Sequence, residues 1–318
     1  MTDRLSIESK DWDNQTYQEW LHRIKKELKL EDLSDKVLHI DKGVIYDPYK
    51  EYLPNQSSLK IKNYPQMNMG IAFKPKDELS FNKGLMHLLP YDLRVVRLKL
   101  DRVMDWALML QDVHMNLVTW IVDCDSNEVV TSFKTYLSGI DNKKGLRVIY
   151  FGQSTGDADT DTLTYISLEN FSGADTIKRI NEDLKGIDGD DLLIEVTIGQ
   201  NLLNTIPFLR AVRLSIEAKY PSKKLTIAAY PIIESLSDNA NQQIIITGSV
   251  AMQCSMAGVD YLFPTFNNST IEIENQRLML NIQNVMELES YTHKVSDPLS
   301  GSYVIDDLTQ QYLDLIEG

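Results

Sequence analysis

The chain has 318 residues, enough for two domains or one barrel, and its 43% hydrophobic and 25% charged residues are typical of a folded globular protein. Its 32 basic and 46 acidic residues give a net charge of −14, which argues against nucleic acid and anionic membranes as partners. Cys124 and Cys254 are too few for a disulfide scaffold or a cysteine-rich zinc site, and their apolar surroundings predict buried thiols. The N-terminus has no apolar segment typical of a secretory signal, so we expect a soluble cytoplasmic protein.

The first predicted element is an amphipathic helix over residues 14–28. Thr16 and Glu19 have the spacing of a capping box, which predicts the start of the helix. The apolar face has two possible partners, the body of this chain or a second protein. Its apolar side chains recur at helical spacing and are Tyr17, Trp20, Leu21, Ile24 and Leu28.

A segment with little periodicity follows over residues 39–75. Short strands are predicted at 44–46 and 59–61, with turns at the prolines between and after them. We therefore assign residues 1–67 to an N-terminal helix and extended arm.

Residues 68–318 alternate short apolar runs with helical patterns, which predicts parallel βαβ units. Seven such repeats favour a TIM-type (β/α)8 barrel, possibly incomplete, with an open doubly wound sheet as the alternative. The predicted strands are 69–73, 95–100, 117–122, 148–151, 192–197, 225–229 and 259–263. The predicted helices are 81–89, 101–111, 128–138, 173–185, 199–218, 241–257 and 271–290.

No motif identifies an active site from the residue pattern alone. Asp112 and His114 match the start of a D-x-H-x-x-G cobalamin loop, but the glycine is absent, which favours an ordinary loop. Asp157, Asp159 and Asp161 resemble the start of a calcium loop without its later glycine and glutamate. The five histidines are scattered, so we predict no catalytic, cofactor-binding or metal-ligating residue from these patterns.

The C-terminal third contains a distinctive run of motifs. Residues 297–304 have the sequence D-P-L-S-G-S-Y-V and are followed by Leu308 and Thr309, while Asn281-x-Gln283 and the L-R-A-V-R-L segment at 209–214 lie upstream. This set resembles the methylmalonyl-CoA mutase family, which has a D-P-x-x-G-S-Y segment followed by L-T at this spacing. The N-terminal region is similar to the arm with which subunits of that family wrap one another.

The resemblance implies a barrel from a family that isomerises acyl-CoA thioesters by a radical rearrangement. In that family a cobalamin domain delivers the radical at the barrel mouth, and CoA threads through the barrel centre. Polar groups must grip the thioester, and water must be excluded from the reactive intermediates.

The sequence departs from this pattern where active members carry functional groups. Ala228 and Tyr230 stand at the histidine and glutamine of the family's H-x-Q strand. Asp191 and Leu193 fall on an Arg-x-Ser that contacts CoA. The chain ends at Gly318, so we expect the cobalamin domain to be absent. Several losses together remove the transition-state binding on which the reaction rate depends.

The resemblance therefore implies a non-catalytic small (beta) subunit in shortened form. Its partner in a heterodimer would be a cobalamin-dependent large subunit that interconverts methylmalonyl-CoA and succinyl-CoA. Adenosylcobalamin is expected on that large subunit, with no cofactor in this chain. Residues 1–67 would wrap the partner.

The alternative hypothesis is a stand-alone degenerate barrel that binds an acyl-CoA or another small ligand without cobalamin. Barrel sites lie at the carboxyl ends of the strands. The polar residues near predicted strand ends are the pocket candidates, namely Tyr230, Asp123, Asp125 and Gln153.

Overall fold

The computed structural model describes residues 15–52, 59–124, 126–141, 143–151, 163–168, 191–231, 240–264 and 273–317. Within these ranges the strands are β1 (Leu38–Asp41), β2 (Val44–Tyr46), β3 (Asn68–Phe73), β4 (Val95–Lys99), β5 (Thr119–Asp123), β6 (Arg147–Phe151), β7 (Leu163–Leu168), β8 (Asp191–Ile198), β9 (Lys224–Pro231) and β10 (Tyr261–Leu262). The α-helices in the same ranges are α1 (Tyr17–Leu28), α2 (Glu78–Leu88), α3 (Trp106–Met109), α4 (Asn127–Ser138), α5 (Leu202–Lys219), α6 (Ala240–Ala257), α7 (Ile273–Leu288) and α8 (Tyr303–Glu317).

Strands β3 to β10 form one parallel sheet in the order β6-β5-β4-β3-β10-β9-β8-β7. Chain neighbours are paired through most of the sheet, and β10, the last strand, lies beside β3, the first. This cyclic order distinguishes the fold from an open doubly wound sheet. Among the described residues β6 and β7 share no ladder, so the sheet is a curled α/β sheet compatible with a partial (β/α) barrel.

All seven strands predicted for this region are present. The sequence analysis missed β7, whose L-T-Y-I-S-L sequence mixes polar and apolar residues without strict alternation. The helix predicted over 173–185 lies outside the described residues. Cys124 and Cys254 are both buried free thiols, as predicted. In the part of the chain that the structure describes, every helix is too short or too polar to cross a lipid bilayer.

Helix α1 begins with the predicted capping box. The Thr16 hydroxyl accepts a hydrogen bond from the Glu19 backbone N–H at 3.3 Å, and the Glu19 carboxylate accepts one from the Thr16 N–H at 2.8 Å. No residue of this helix is buried, and Trp20 and Leu28 are 37% and 45% exposed. Tyr17, Leu21 and Ile24 are partly buried, so the apolar face that the sequence predicts is formed and only partly covered.

The β1–β2 hairpin, in contrast, packs on the body of the chain. Val44 is fully buried, and the turn before it uses Gly43 at φ +84°, a conformation that favours glycine. The side-chain amide of Gln311, on α8, accepts from the Ile45 N–H at 2.8 Å and donates to the Ile45 carbonyl at 3.0 Å. Gln311 thus satisfies the edge of β2 as a neighbouring strand would.

The strand predicted at 59–61 is wrong. Its backbone groups bind a buried ion pair instead of a neighbouring strand. The Ile61 N–H donates to the Asp297 carboxylate at 2.8 Å, and the Leu59 carbonyl accepts from the Arg210 guanidinium at 2.9 Å. Arg210 and Asp297 contact each other directly, and both side chains are completely buried. These contacts join the end of the arm, helix α5 and the turn before α8.

The buried pair generates a stability prediction. Asp297→Asn keeps a residue that tolerates the left-handed backbone at this position, where φ is +52°, but removes the charge opposite Arg210. We expect it to lower the free energy of unfolding by about 3 kcal/mol, the lower end for a broken buried ion pair. The buried guanidinium then keeps only the more distant Asp306 carboxylate, 3.7 Å away. Urea-induced equilibrium unfolding measures this change.

The matched control is Glu27→Gln, which breaks the exposed Arg23–Glu27 pair on α1. That pair is solvated, so its loss should cost less than about 0.5 kcal/mol. Equal effects of the two variants would contradict the structural role of the buried pair.

Candidate functional site

The inward-facing side chains of the curled sheet form three layers. At the amino ends of the strands, the lower layer is polar. The Arg147 guanidinium, on β6, donates to the Tyr261 hydroxyl at 2.7 Å and to the Thr226 hydroxyl at 3.4 Å. These contacts cross the interior from β6 to β9 and β10, which shows how strongly the sheet curls.

The middle layer is apolar and densely packed. The ring of Phe263 lies directly over Gly70, where an added Cβ atom would overlap it. The apolar side chains of this layer therefore pack against one another in the interior between the described strands. Every residue of this layer is buried, and the ring of Tyr261 belongs to it although its hydroxyl contacts the lower layer. The residues are Val95, Ile121, Ile149, Leu193, Ala228, Tyr261 and Phe263.

The upper layer, at the carboxyl ends of the strands, is a hydrogen-bonded cluster around Arg97. The Arg97 guanidinium donates to Glu195 at 2.7 Å, to Asp123 at 2.8 Å and to the Tyr230 hydroxyl. The Tyr230 hydroxyl in turn donates to Glu195 at 2.7 Å. The Tyr230 ring stacks on Phe263 with centroids 5.2 Å apart, so the cluster rests on the apolar layer.

Burial determines the protonation of this cluster. Desolvation raises the pKa of Tyr230 well above its usual value, and the neighbouring Glu195 carboxylate raises it further. Desolvation also raises the pKa of Glu195, while Arg97 and the Tyr230 hydroxyl oppose that shift. Although burial disfavours the charged guanidinium, Tyr230, Glu195 and Asp123 together raise the pKa of Arg97. Tyr230 is therefore a protonated hydrogen-bond donor near neutral pH and not a base.

Two of the four pocket candidates meet in this cluster. Tyr230 and Asp123 lie at the ends of different strands and are joined through Arg97. Asp125 and Gln153 lie outside the described residues.

Sequence analysis missed Arg97 and Glu195, the two residues that hold the cluster together. Each is the only charged residue within the apolar run of a predicted strand, Arg97 in 95–98 and Glu195 in 192–196. A single charged residue within a buried apolar strand requires a partner. This pattern in the sequence could have identified Arg97 and Glu195 as a pair.

A cavity of about 310 Å³ opens beside the cluster, at the carboxyl ends of β3, β4 and β5. Its size falls in the range of small-molecule sites. Among the described residues no group of three or more histidine, cysteine or acidic side chains is arranged to hold a metal ion. The polar residues that line the cavity are Lys74, Lys99, Asp101, Asp123, Cys124 and Ser126.

Neither protein-family models nor curated proteins match this chain. The fold, the geometry of the interior and the motif residues are therefore the basis for assigning a function.

The filled interior generates a second prediction. Gly70→Ala should lower the free energy of unfolding by about 1–3 kcal/mol, because its methyl group overlaps the Phe263 ring. Adding Phe263→Leu should recover part of that loss, since the smaller side chain leaves room for the methyl group. Thermal and urea unfolding of the two single variants and the double variant measure the coupling.

Additive effects of Gly70→Ala and Phe263→Leu would mean that the two residues do not share the same space. The described packing of the interior would then be wrong.

Proposed function

We propose that this chain is the non-catalytic small subunit of a methylmalonyl-CoA mutase, and that its curled sheet belongs to a TIM-type (β/α)8 barrel. In this proposal it pairs in the cytoplasm with a large subunit that holds adenosylcobalamin and interconverts methylmalonyl-CoA and succinyl-CoA. The cofactor belongs to the partner, so no residue of this chain is assigned to it.

The proposal rests chiefly on the apolar face of α1, where Trp20 and Leu28 are exposed. A helix of 12 residues is marginally stable in water unless its apolar face packs against something. Within the described residues, α1 contacts the rest of the arm mainly through Tyr49. The Tyr17 hydroxyl donates to the Tyr49 carbonyl, and the Trp20 and Tyr49 rings lie 6.1 Å apart. A partner protein that packs on the exposed apolar side chains of α1 would bury them.

The filled interior supports a role without catalysis. A CoA thioester that threads through a barrel needs an open axis, and the Phe263 ring and its apolar neighbours occupy that space here. The upper polar groups are also engaged with one another. Arg97 binds Glu195 and Asp123 and leaves neither carboxylate without a counter-charge. Nothing in this layer is arranged to grip a thioester carbonyl.

The residues behind the resemblance support a framework role. Arg210, from the L-R-A-V-R-L segment, binds Asp297, from the D-P-L-S-G-S-Y segment. Arg213 donates to the Gly258 carbonyl at 2.8 Å. The Gln283 side chain accepts from the backbone N–H of Met69, the second residue of β3. These contacts fix helices to the sheet, which is the part of a barrel that a supporting subunit would retain.

Purification of a tagged full chain from its native cells tests the proposal. Mass spectrometry should identify a larger, cobalamin-domain-bearing mutase chain in stoichiometric amount. Recovery of the tagged chain alone, or only with copies of itself, would overturn the small-subunit proposal.

A variant pair tests the role of α1. Ile24→Glu introduces a carboxylate on the apolar face and should reduce recovery of the large chain more than about tenfold, because a buried charge opposes association. His22→Glu introduces the same carboxylate on the opposite, exposed face and should leave recovery unchanged. Circular dichroism checks that both variants are folded. Equal recovery with both variants would remove α1 from the interface.

The second candidate function is the stand-alone barrel that binds an acyl-CoA or another small ligand. The cavity beside the Arg97 cluster is the observation that favours it. A thermal-shift assay with acyl-pantetheine, which lacks the nucleotide phosphates of CoA, separates the two candidates. A raised melting temperature would favour the ligand-binding barrel, while the small-subunit proposal expects no shift.

A further inference from the structure

The cavity at the strand ends has an unusual charge distribution for a chain with a net charge of −14. Two lysines lie on its rim, Lys74 just after β3 and Lys99 at the end of β4. Both are exposed, and neither forms an ion pair with another described residue. The adjacent strands therefore bring two available ammonium groups to one opening.

The carboxylates around the cavity do not cancel these charges. Asp123 lines the cavity but binds the buried Arg97 guanidinium, which also binds Glu195 on its other side. Among the described lining residues Asp101 is the other carboxylate, and it is exposed. The described rim outside the Arg97 cluster thus has two positive charges against one negative charge.

Helix α4 adds backbone donors to the same opening. Ser126, on the rim, is the N-cap residue of this 12-residue helix, and its side chain makes no capping hydrogen bond. The backbone N–H groups of the first turn of a helix lack intrahelical acceptors, and the helix dipole favours an anion at this end. The uncapped start of α4 therefore adds backbone hydrogen-bond donors for an anion at the opening where the two lysines lie.

We propose that this cavity is a binding site for a small oxyanion, a compact molecule bearing a phosphate or carboxylate group. Lys74 and Lys99 would hold the anionic group as point charges, and the first turn of α4 would donate hydrogen bonds to it. The volume of about 310 Å³ is enough for a metabolite-sized molecule. The site belongs to this chain alone and does not depend on the proposed large subunit.

Isothermal titration of the isolated full chain with inorganic phosphate, and separately with succinate, tests the site. Saturable binding of at least one probe is expected, and the stronger probe identifies phosphate or carboxylate as the preferred group. Affinity should fall as salt is added, because exposed charges are screened. No saturable heat with either probe would overturn the proposal.

Variants locate the binding. Lys74→Gln with Lys99→Gln should weaken binding at least about tenfold, because two charge-assisted hydrogen bonds are lost. Lys83→Gln removes an exposed lysine on α2 that does not line the cavity and should leave binding unchanged. Asp101→Asn should tighten binding, because it removes the rim's remaining negative charge.

Amide chemical shifts provide an independent location. Addition of the probe should shift the backbone N–H signals of Asn127 and Glu128 in the wild-type chain and not in the double lysine variant. Equal binding by the double variant and the wild type would place the anion elsewhere and refute the site. If the double lysine variant loses anion binding but still captures the large chain, the anion site and the small-subunit role are independent of each other.

Discussion

The ion pair between Arg210 and Asp297 lies where three distant parts of the chain meet. Arg210 belongs to α5, Asp297 belongs to the turn before α8, and the backbone of Leu59 and Ile61 comes from the end of the arm. Both charged side chains are fully buried, so their desolvation must be offset by well-formed hydrogen bonds. A displacement of any of the three segments would break at least one of these buried hydrogen bonds. The pair therefore fixes the end of the arm against α5 and the turn before α8.

The position of α8 in turn determines which part of the arm is free. This helix carries Gln311, which pairs with the edge of β2, and Tyr312, whose hydroxyl contacts Asp41 at 3.3 Å. The hairpin is thus held against the body of the chain, although Leu38 and Ile45 on it are exposed, as are Trp20 and Leu28 on α1. A partner that binds α1 would contact a helix that is followed in the chain by a hairpin fixed on α8. The structure consequently divides the arm into a docked hairpin and an available helix, a division that composition alone does not indicate.

The sequence predicted features that depend on neighbouring residues, and it failed for features that depend on contacts between distant parts of the chain. The alternation of strands and helices, the amphipathic helix α1 and its capping box at Thr16 depend on neighbouring residues, and these predictions are confirmed. The strand predicted at 59–61 is wrong because the partners of its backbone lie on α5 and before α8, far along the chain. Arg97 and Glu195 were missed for the same reason, since their contact joins β4 to β8 across the interior.

The same distinction explains the role of Tyr230. The sequence places Tyr230 near a strand end, where the structure also has it, but its chemistry depends on residues from other strands. Burial keeps its hydroxyl protonated, and the hydroxyl donates to Glu195 while the ring rests on Phe263. Tyr230 therefore closes the top of the interior instead of lining an open site. Because Arg97 is paired with Glu195 and Asp123, the proposed anion site depends on the exposed lysines Lys74 and Lys99. The packed centre of the curled sheet and the cavity at its strand ends therefore differ in chemistry, the first apolar and the second lined by charged side chains.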